Sequence, residues 1–412
     1  MNEKIAKSEK EIITPELVSG LLENAQIVIP EDGVFEKLKS AEEEGKQLRI
    51  KMGFDPTSPD LHLGHAVSMR QVKRFQDLGH LPVIIIGDFT GLIGDPSGRS
   101  ASRPLAGKEE LERNAQSYIE QLGKVVDINN IEVHRNSEWL SGMNLEELIQ
   151  LLAQGTLSQV ISRDDFKKRL DSGSPIALHE IIYPYIQGAD SVAVSADIEI
   201  GGVDQLYGFQ AARMLQGKRG DDPEAAVLMP LLRGLDGVKK MSKSLGNYVG
   251  LDDEPRDMFG KLMSIPDTLI EEYLRLASGF NGEEIESILN DIKLGANPMG
   301  VKLSLARNIT ETYHDEEKAN DAQEYFAKQF QNRTAEELEY QLATIPETVR
   351  SVVDLIVAID PSTSKSQARR LIEQGGITID GNRISDIEAS IDSPDGLKVK
   401  LGKRRFFQTT TK

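Results

Sequence analysis

The alternation of apolar and polar positions changes character three times along the chain. Residues 1–46 carry apolar positions at helical spacing around a Pro30-Glu31-Asp32-Gly33 turn and predict polar helices. Beyond them, short apolar runs alternate with longer amphipathic stretches. Residues 48–52 read as a strand, 64–78 as a helix, 81–86 as a buried strand and 108–122 as a second helix. Strand, helix, strand at this spacing predicts βαβ units and a doubly wound parallel α/β sheet, whose ligands bind beyond the carboxyl ends of the strands. The pattern continues through residues 191–200, a helix from about 204 to 215, and a strand over 226–229.

After Lys243 the strands stop. Residues 254–341 read as helical, with amphipathic stretches at 301–313 and 318–330. The tail differs again. A short helix begins at Ser366-Gln367-Ala368-Arg369-Arg370 behind a serine cap and ends at Gly375-Gly376. Strands at 377–380 and 397–401 and a Gly381-Asn382 turn complete a small α+β module. The expected organisation is therefore an N-terminal helical segment (1–45), a parallel-sheet domain (46–250), a helical domain (251–345) and the tail module (350–412).

Composition narrows the class. Of 412 residues, 39% are hydrophobic and 28% charged, a globular balance, and no apolar run approaches the ~20 residues of a membrane helix. The first ten residues mix charges with single apolar positions and lack the core of a secretion signal. The chain has no cysteine, which excludes disulfides and thiolate metal sites and fits a cytoplasmic protein. A net charge of −18 argues at first against a nucleic-acid partner. Residues 350–412, however, hold 11 Lys and Arg against 8 Asp and Glu, net +3, leaving 37 against 58, net −21, for the rest. An acidic body with a basic tail assigns any polyanion to the tail.

Two segments about 175 residues apart carry phosphate-binding chemistry. His62-Leu63-Gly64-His65 stands where a strand and loop give way to a helix, whose free N–H groups and dipole attract phosphate. Gly64 lets a nucleotide approach the backbone, and the imidazoles can donate to phosphate oxygens. Lys240-Met241-Ser242-Lys243-Ser244 lies between Gly234, Gly237 and Gly246. Two ammonium groups on such a loop can close over a pyrophosphate and offset the charge that grows there during displacement. Together the segments point to activation of a carboxylate as an acyl-adenylate.

Further clusters surround them. Gly53-Phe54-Asp55-Pro56-Thr57 forms the loop at the end of the first strand, where such folds hold ligands. In the Gly91-to-Arg99 loop, Asp95 can accept from an ammonium group, and Arg99 and Arg103 suit phosphate. Tyr183, Gln187 and Asp190 fall on one helix face if Pro184 sits in the first turn, and their polarity marks a pocket wall. Gly201-Gly202-Val203-Asp204-Gln205 repeats the strand-to-helix signature; Asp204 could meet a ribose hydroxyl and Gln205 a carboxylate. The six histidines show no metal-ligand spacing, so no protein metal site is expected, only Mg²⁺ carried by ATP.

These motifs, in this order, resemble those of the class I aminoacyl-tRNA synthetases, and closely those of the bacterial tyrosyl-tRNA synthetases of the longer second type. The resemblance runs from about residue 30 to the C-terminus. His62 to His65 stands at the HIGH signature, and Lys240 to Ser244 is the KMSKS sequence letter for letter. It implies a Rossmann-like catalytic domain, a helical anticodon-binding domain and an S4-like RNA-binding tail. By position, His62, His65, Lys240, Lys243, Ser244, Arg99 and Arg103 would carry the ATP chemistry. Asp55, Thr57, Gly64, Gly202, Asp204 and Lys243 would bind ATP. Asp95, Tyr183 and Gln187 would hold the tyrosine amino group, Asp190 its hydroxyl and Gln205 its carboxylate. Lys365, Arg369 and Arg370 would contact tRNA(Tyr). The resemblance also implies L-tyrosine and ATP as substrates, a homodimer, a cytoplasmic location and no membrane partner. One position departs from the better-known branch, which has a hydroxyl-binding tyrosine two residues before the Gly-Phe-Asp-Pro loop; here it is Lys51.

Overall fold

The computed structural model describes residues 12–97, 107–331, 341–361, 363–373, 375–391, 393–402 and 405–411. Arg99 and Arg103 lie outside the described residues. The chain divides into two compact units, residues 1–323 and 324–412.

The first unit is built on one six-stranded sheet. Its strands are β1 (Ile27–Ile29), β2 (Arg49–Phe54), β3 (Leu81–Ile86), β4 (Glu132–Arg135), β5 (Ile198–Gly202) and β6 (Ala225–Met229), in the order β1-β6-β5-β2-β3-β4. β2 to β6 are parallel, and β1 closes the edge antiparallel to β6. Val83, Ile84, Ile85 and Ile86 are all buried, as in a strand covered on both faces. The order reverses at β2: β3 and β4 lie to one side, β5 and β6 to the other. Loops therefore part beyond the ends of β2 and β5, leaving a crevice.

Helices α1 (Pro15–Leu21) and α2 (Gly33–Glu44) precede β2, and α3 (Leu63–Asp77) crosses from β2 to β3. In α3, Leu63, Ala66, Val67, Val72 and Phe75 make a buried stripe. The helix ends where Gly79 takes φ +88, a left-handed turn that glycine adopts without strain. Between β3 and β4 lie α4 (Thr90–Ile93) and α5 (Lys108–Leu122). After β4 come α6 (Ser137–Leu140), α7 (Leu145–Leu152), α8 (Leu157–Ile161), α9 (Asp164–Asp171) and α10 (Leu178–Ala193). α11 (Leu206–Arg219) joins β5 to β6. The helices α12 (Pro255–Met263), α13 (Ile270–Ala277), α14 (Gly282–Lys293) and α15 (Pro298–Tyr313) belong to the first unit, and α16 (Glu316–Phe326) runs across its end.

Three local expectations need correction. The N-terminal segment is not wholly helical, because Ile27–Ile29 is a strand. Residues 191–200 are not one strand: α10 runs to Ala193 and β5 starts at Ile198. Pro184 is interior to α10 rather than in its first turn, because the helix begins at Leu178. A proline there gives up one ladder hydrogen bond.

The second unit has the sheet order β7-β11-β10-β8-β9, with β7 (Gln341–Ile345), β8 (Ile377–Ile379), β9 (Asn382–Ile384), β10 (Lys398–Leu401) and β11 (Arg405–Thr411). Helices α17 (Val352–Ile359) and α18 (Lys365–Glu373) supply Leu355, Ile356, Ala368 and Ile372 to a core shared with Ile377 and Val399. Ser364 caps α18 in place of Ser366, accepting from the Gln367 N–H while Gln367 accepts from the Ser364 N–H. The β8–β9 turn is Asp380-Gly381, both at positive φ, as a two-residue hairpin of this twist requires.

Candidate active site

The segments around His62 and Lys240 are joined through the backbone. Leu63 N–H donates to the Val249 carbonyl at 3.0 Å, and Leu251 N–H to the Leu61 carbonyl at 3.0 Å. The residues just after the lysine loop thus pair with those at the start of α3. A Cβ on Gly64 would lie 3.0 Å from the His62 ring, so this position is kept small by the histidine of its own motif, with Met241 in ordinary contact at 3.6 Å.

Each lysine of the loop meets a carboxylate. Lys243 Nζ lies 3.1 Å from Asp60 Oδ2, and Lys240 Nζ lies 2.8 Å from Asp204 Oδ2. Asn247, which sequence reasoning passed over, pins the loop. Its Oδ1 accepts from Ser242 N–H at 2.8 Å, and its Nδ2 donates to Asp236 at 2.7 Å and to the Lys240 carbonyl at 3.2 Å. Gly234 makes room for it: a Cβ there would come within 2.3 Å of the Asn247 amide.

Both imidazoles are neutral at pH 7. Burial, then the nearby Lys243 and Lys240, pushes His65 down to about 3. Burial, His65 and the same lysines push His62 well below the usual histidine range. His65 Nδ1 accepts from the His62 backbone N–H at 3.2 Å, which assigns the ring proton to Nε2. His62 Nδ1 is buried with no hydrogen-bond partner among the described residues.

A second cluster lies beyond the ends of β2, β3 and β5. Tyr183 donates to Asp55 Oδ2 at 2.9 Å, and Thr90 donates to Asp55 Oδ1 at 2.6 Å. Asp55, expected at the nucleotide, therefore stands with Tyr183. Gln205 Nε2 donates to Asp95 Oδ2 at 2.8 Å, and Ser97 N–H to Asp95 Oδ1 at 2.8 Å. Burial, with the Asp95 charge adding to it, pushes the Asp55 carboxyl up to about 7. Gln187 packs against α11, where a Cβ on Gly208 would come within 2.2 Å of its Oε1.

Asp190 occupies the far end, buried on α10. Trp139 Nε1 donates to its Oδ1 at 2.9 Å and Asn136 Nδ2 to its Oδ2 at 3.2 Å. Neither donor was singled out in the sequence; they follow β4, an edge strand whose Glu132-Val133-His134-Arg135 gives no apolar signal. Asn136 Nδ2 also reaches Thr90 Oγ1 at 2.9 Å, so donors run unbroken from Asp55 to Asp190. Burial pushes Asp190 up to about 6, against the pull of Lys51, Trp139 and Asn136. Asp204 and Gln205 are neighbours, and they bond Lys240 and Asp95 respectively. One turn after β5 is thus shared by the lysine loop and the carboxylate cluster.

Carboxylates held in fixed positions beside a helix start and a lysine loop form an arrangement that suits a zwitterion joined to a nucleotide. Residues 43–331 match the family model of class I tRNA synthetases (W and Y), and 337–408 match that of the tyrosine–tRNA ligase SYY-like C-terminal domain. Over 394 residues the chain is 45% identical to tyrosine–tRNA ligase 2 of Photorhabdus laumondii, covering 95% of this chain and 99% of that one. It is also 45% identical over 399 residues to tyrosine–tRNA ligase of Thermotoga maritima, covering 96% and 98%.

The chain belongs to the tyrosine–tRNA ligase family.

The fold agrees. A C-terminally truncated mitochondrial tyrosyl-tRNA synthetase of Aspergillus nidulans superposes with a TM-score of 0.61 at 21% identity, covering 76% of this chain and 94% of that one. Among the described residues no group of three or more His, Asp or Glu side chains is disposed to hold a metal ion, and no helix is long and apolar enough to cross a membrane. In this member of the family Lys51 is buried beneath α10. It faces Glu199 and Ser191 rather than the open crevice.

Proposed function

We infer that this tyrosine–tRNA ligase works in two steps. A carboxylate oxygen of L-tyrosine attacks the α-phosphorus of ATP, the bond to the β-phosphate breaks, and pyrophosphate leaves. A ribose hydroxyl of the terminal adenosine of tRNA(Tyr) then attacks the carbonyl carbon of the tyrosyl-adenylate, and AMP leaves. Neither step requires a protein nucleophile, so positioning and charge stabilisation carry the catalysis. The observation that supports this most directly is the shared turn, where Asp204 holds Lys240 and the adjacent Gln205 holds Asp95.

In this reading Asp95, Tyr183, Gln187 and Asp55 receive the tyrosine ammonium, Asp190 its hydroxyl, and Gln205 its carboxylate. His65 offers its Nε2–H, and His62 a second imidazole, to the phosphates. Lys243 and Lys240 exchange Asp60 and Asp204 for the departing pyrophosphate, with Ser244, Arg99 and Arg103 adding to the same end. Once released, Asp204 takes a ribose hydroxyl; Gly202 keeps the backbone close, since a Cβ there would lie 2.7 Å from Asp204 Oδ1. Thr57 and Gly64 line the nucleotide side. Mg²⁺ arrives with ATP as part of the substrate.

Lys365, Arg369 and Arg370 on α18 would meet tRNA phosphates. Arg369 and Arg370 are exposed, while Lys365 Nζ lies 2.8 Å from Asp354. A cytoplasmic homodimer completes the proposal. It is supported by large apolar side chains left exposed in one stretch of the first unit, Leu145, Ile149, Leu157, Leu170 and Leu178. ATP–pyrophosphate exchange with each of the twenty amino acids tests the activity. Exchange driven by tyrosine alone is expected, and equal or greater exchange with tryptophan or phenylalanine overturns the assignment.

A further inference from the structure

Lys51 is a charged residue that the fold hides at its centre. It lies midway along β2 and is 1% exposed. Its register partner on β5 is Glu199, 2% exposed, so the pair straddles the point where the strand order reverses. Lys51 Nζ reaches Glu199 Oε1 at 2.7 Å, Ser191 Oγ at 2.8 Å and the Gln187 carbonyl at 3.4 Å. Ser191 donates in turn to Glu199 Oε2 at 3.0 Å. Two of these contacts fall on α10, one on each side of Asp190, and one of them is the backbone of Gln187.

A buried ion pair is weak evidence for stability, because desolvation offsets much of its attraction. An apolar pair would fill the same space between β2, β5 and α10 at no such cost. The contacts instead fix one turn of one helix, the turn bearing two of the residues proposed to hold tyrosine. Burial lowers the Lys51 ammonium, but Glu199, Glu224 and Asp190 outweigh it and raise it, so Lys51 stays charged. Glu224, fully buried just before β6, is pushed well up by burial and by Glu199. Lys51 is thus a buried cation with Glu199, Glu224 and Asp190 as its acidic neighbours.

We propose that Lys51, with Glu199 and Ser191, is a positioning and specificity-determining element: it sets the Gln187–Asp190 turn and holds Asp190 as an anion for the tyrosine hydroxyl, without touching the substrate. The groups facing Asp190 include Lys51 on β2, Asp55 just after β2, Glu199 on β5, Tyr183 on α10, and the donors Trp139 and Asn136 after β4. Lys51 is the cation among them.

The proposal rests on the tyrosine-pocket reading above, and its test separates the two. Lys51→Met alone leaves Glu199 buried and unpaired and is expected to impair folding. Lys51→Met combined with Glu199→Gln removes the pair as a unit and carries the test; Lys51→Arg keeps the cation as control. In ATP–pyrophosphate exchange, the double variant is expected to show a tyrosine KM raised on the order of tenfold at pH 7, the scale of one buried charge on a neighbouring ion, with the ATP KM unchanged. The acid limb of kcat/KM for tyrosine moves to higher pH in the double variant and stays in Lys51→Arg. An unchanged tyrosine KM and acid limb in the double variant, or equal losses for tyrosine and ATP, overturns the proposal. A native chain that fails to exchange with tyrosine overturns the reading beneath it instead.

Discussion

Asp55 and Asp190 both have carboxyls raised above the ordinary range, to about 7 and about 6. Each keeps a proton in the folded protein at pH values where the unfolded chain has lost it. Their contribution to stability is therefore full at low pH and falls as pH rises from about 4 through 6 and 7. Tyrosine affinity runs the other way, because the ammonium and the phenol want anions. The kcat/KM for tyrosine is accordingly expected to climb between pH 5 and 8 while the ATP KM does not follow, and Asp55→Asn removes the part of the climb near 7. A profile for Asp55→Asn identical to the native one would remove Asp55 from the pocket. At the other end, Asp190→Ala removes a carboxylate that the tyrosine hydroxyl would meet and that phenylalanine would leave without that donor. Its preference for tyrosine over phenylalanine in pyrophosphate exchange should collapse, and a preserved preference would refute the assignment. For Lys243, exchanging Asp60 for pyrophosphate implies that Lys243→Ala raises the barrier to adenylate formation by about 2–4 kcal/mol, read by rapid quench.

The loop between β6 and α12 shows what an element adds to its residues. Asn247 holds the Ser242 N–H, the Asp236 carboxylate and the Lys240 carbonyl at once. Asn247→Ala is expected to cost about 1–3 kcal/mol in urea unfolding and to slow adenylate formation while leaving tyrosine binding, measured by equilibrium dialysis, near native. Loss of tyrosine binding in step with the rate would mean that the loop supports the whole sheet. This residue was illegible in sequence because an asparagine inside a glycine-flanked loop looks like any turn former. The same holds for Asn136 and Trp139, which reach Asp190 from the turn and short helix that follow a strand too polar to announce itself. By contrast, α3, β3, α5 and β6 were legible almost to the residue, since each has an unbroken apolar stripe or run. Phe75 shows what such a stripe is worth: fully buried on α3, it is expected to lower stability by about 3–5 kcal/mol as Phe75→Ala in urea unfolding. The two signature motifs could be read by letter, but the carboxylates that their lysines hold could not. Asp60 lies 183 residues from Lys243 and Asp204 lies 36 from Lys240, and only the fold brings each within reach.

At the scale of the whole molecule, the separation into two compact units at residue 323 leaves the acidity with the first: residues 1–323 hold 35 Lys and Arg against 53 Asp and Glu, while residues 324–412 hold 13 of each, their basic excess confined to the stretch beyond residue 349. Removing residues 332–412 is expected to leave tyrosine-dependent pyrophosphate exchange intact and to weaken tRNA charging, with a shallower dependence of charging on salt. Equal loss of both activities would mean that the tail is needed for the first unit to fold. The backbone bonds between residues 61–63 and 249–251 carry one more consequence, for biosynthesis. They close a loop of about 190 residues, so the adenylate site has no local precursor and appears only after the sheet is assembled. A nascent chain still tethered before residue 250 has left the ribosome carries the histidine half of the site and no means of using it.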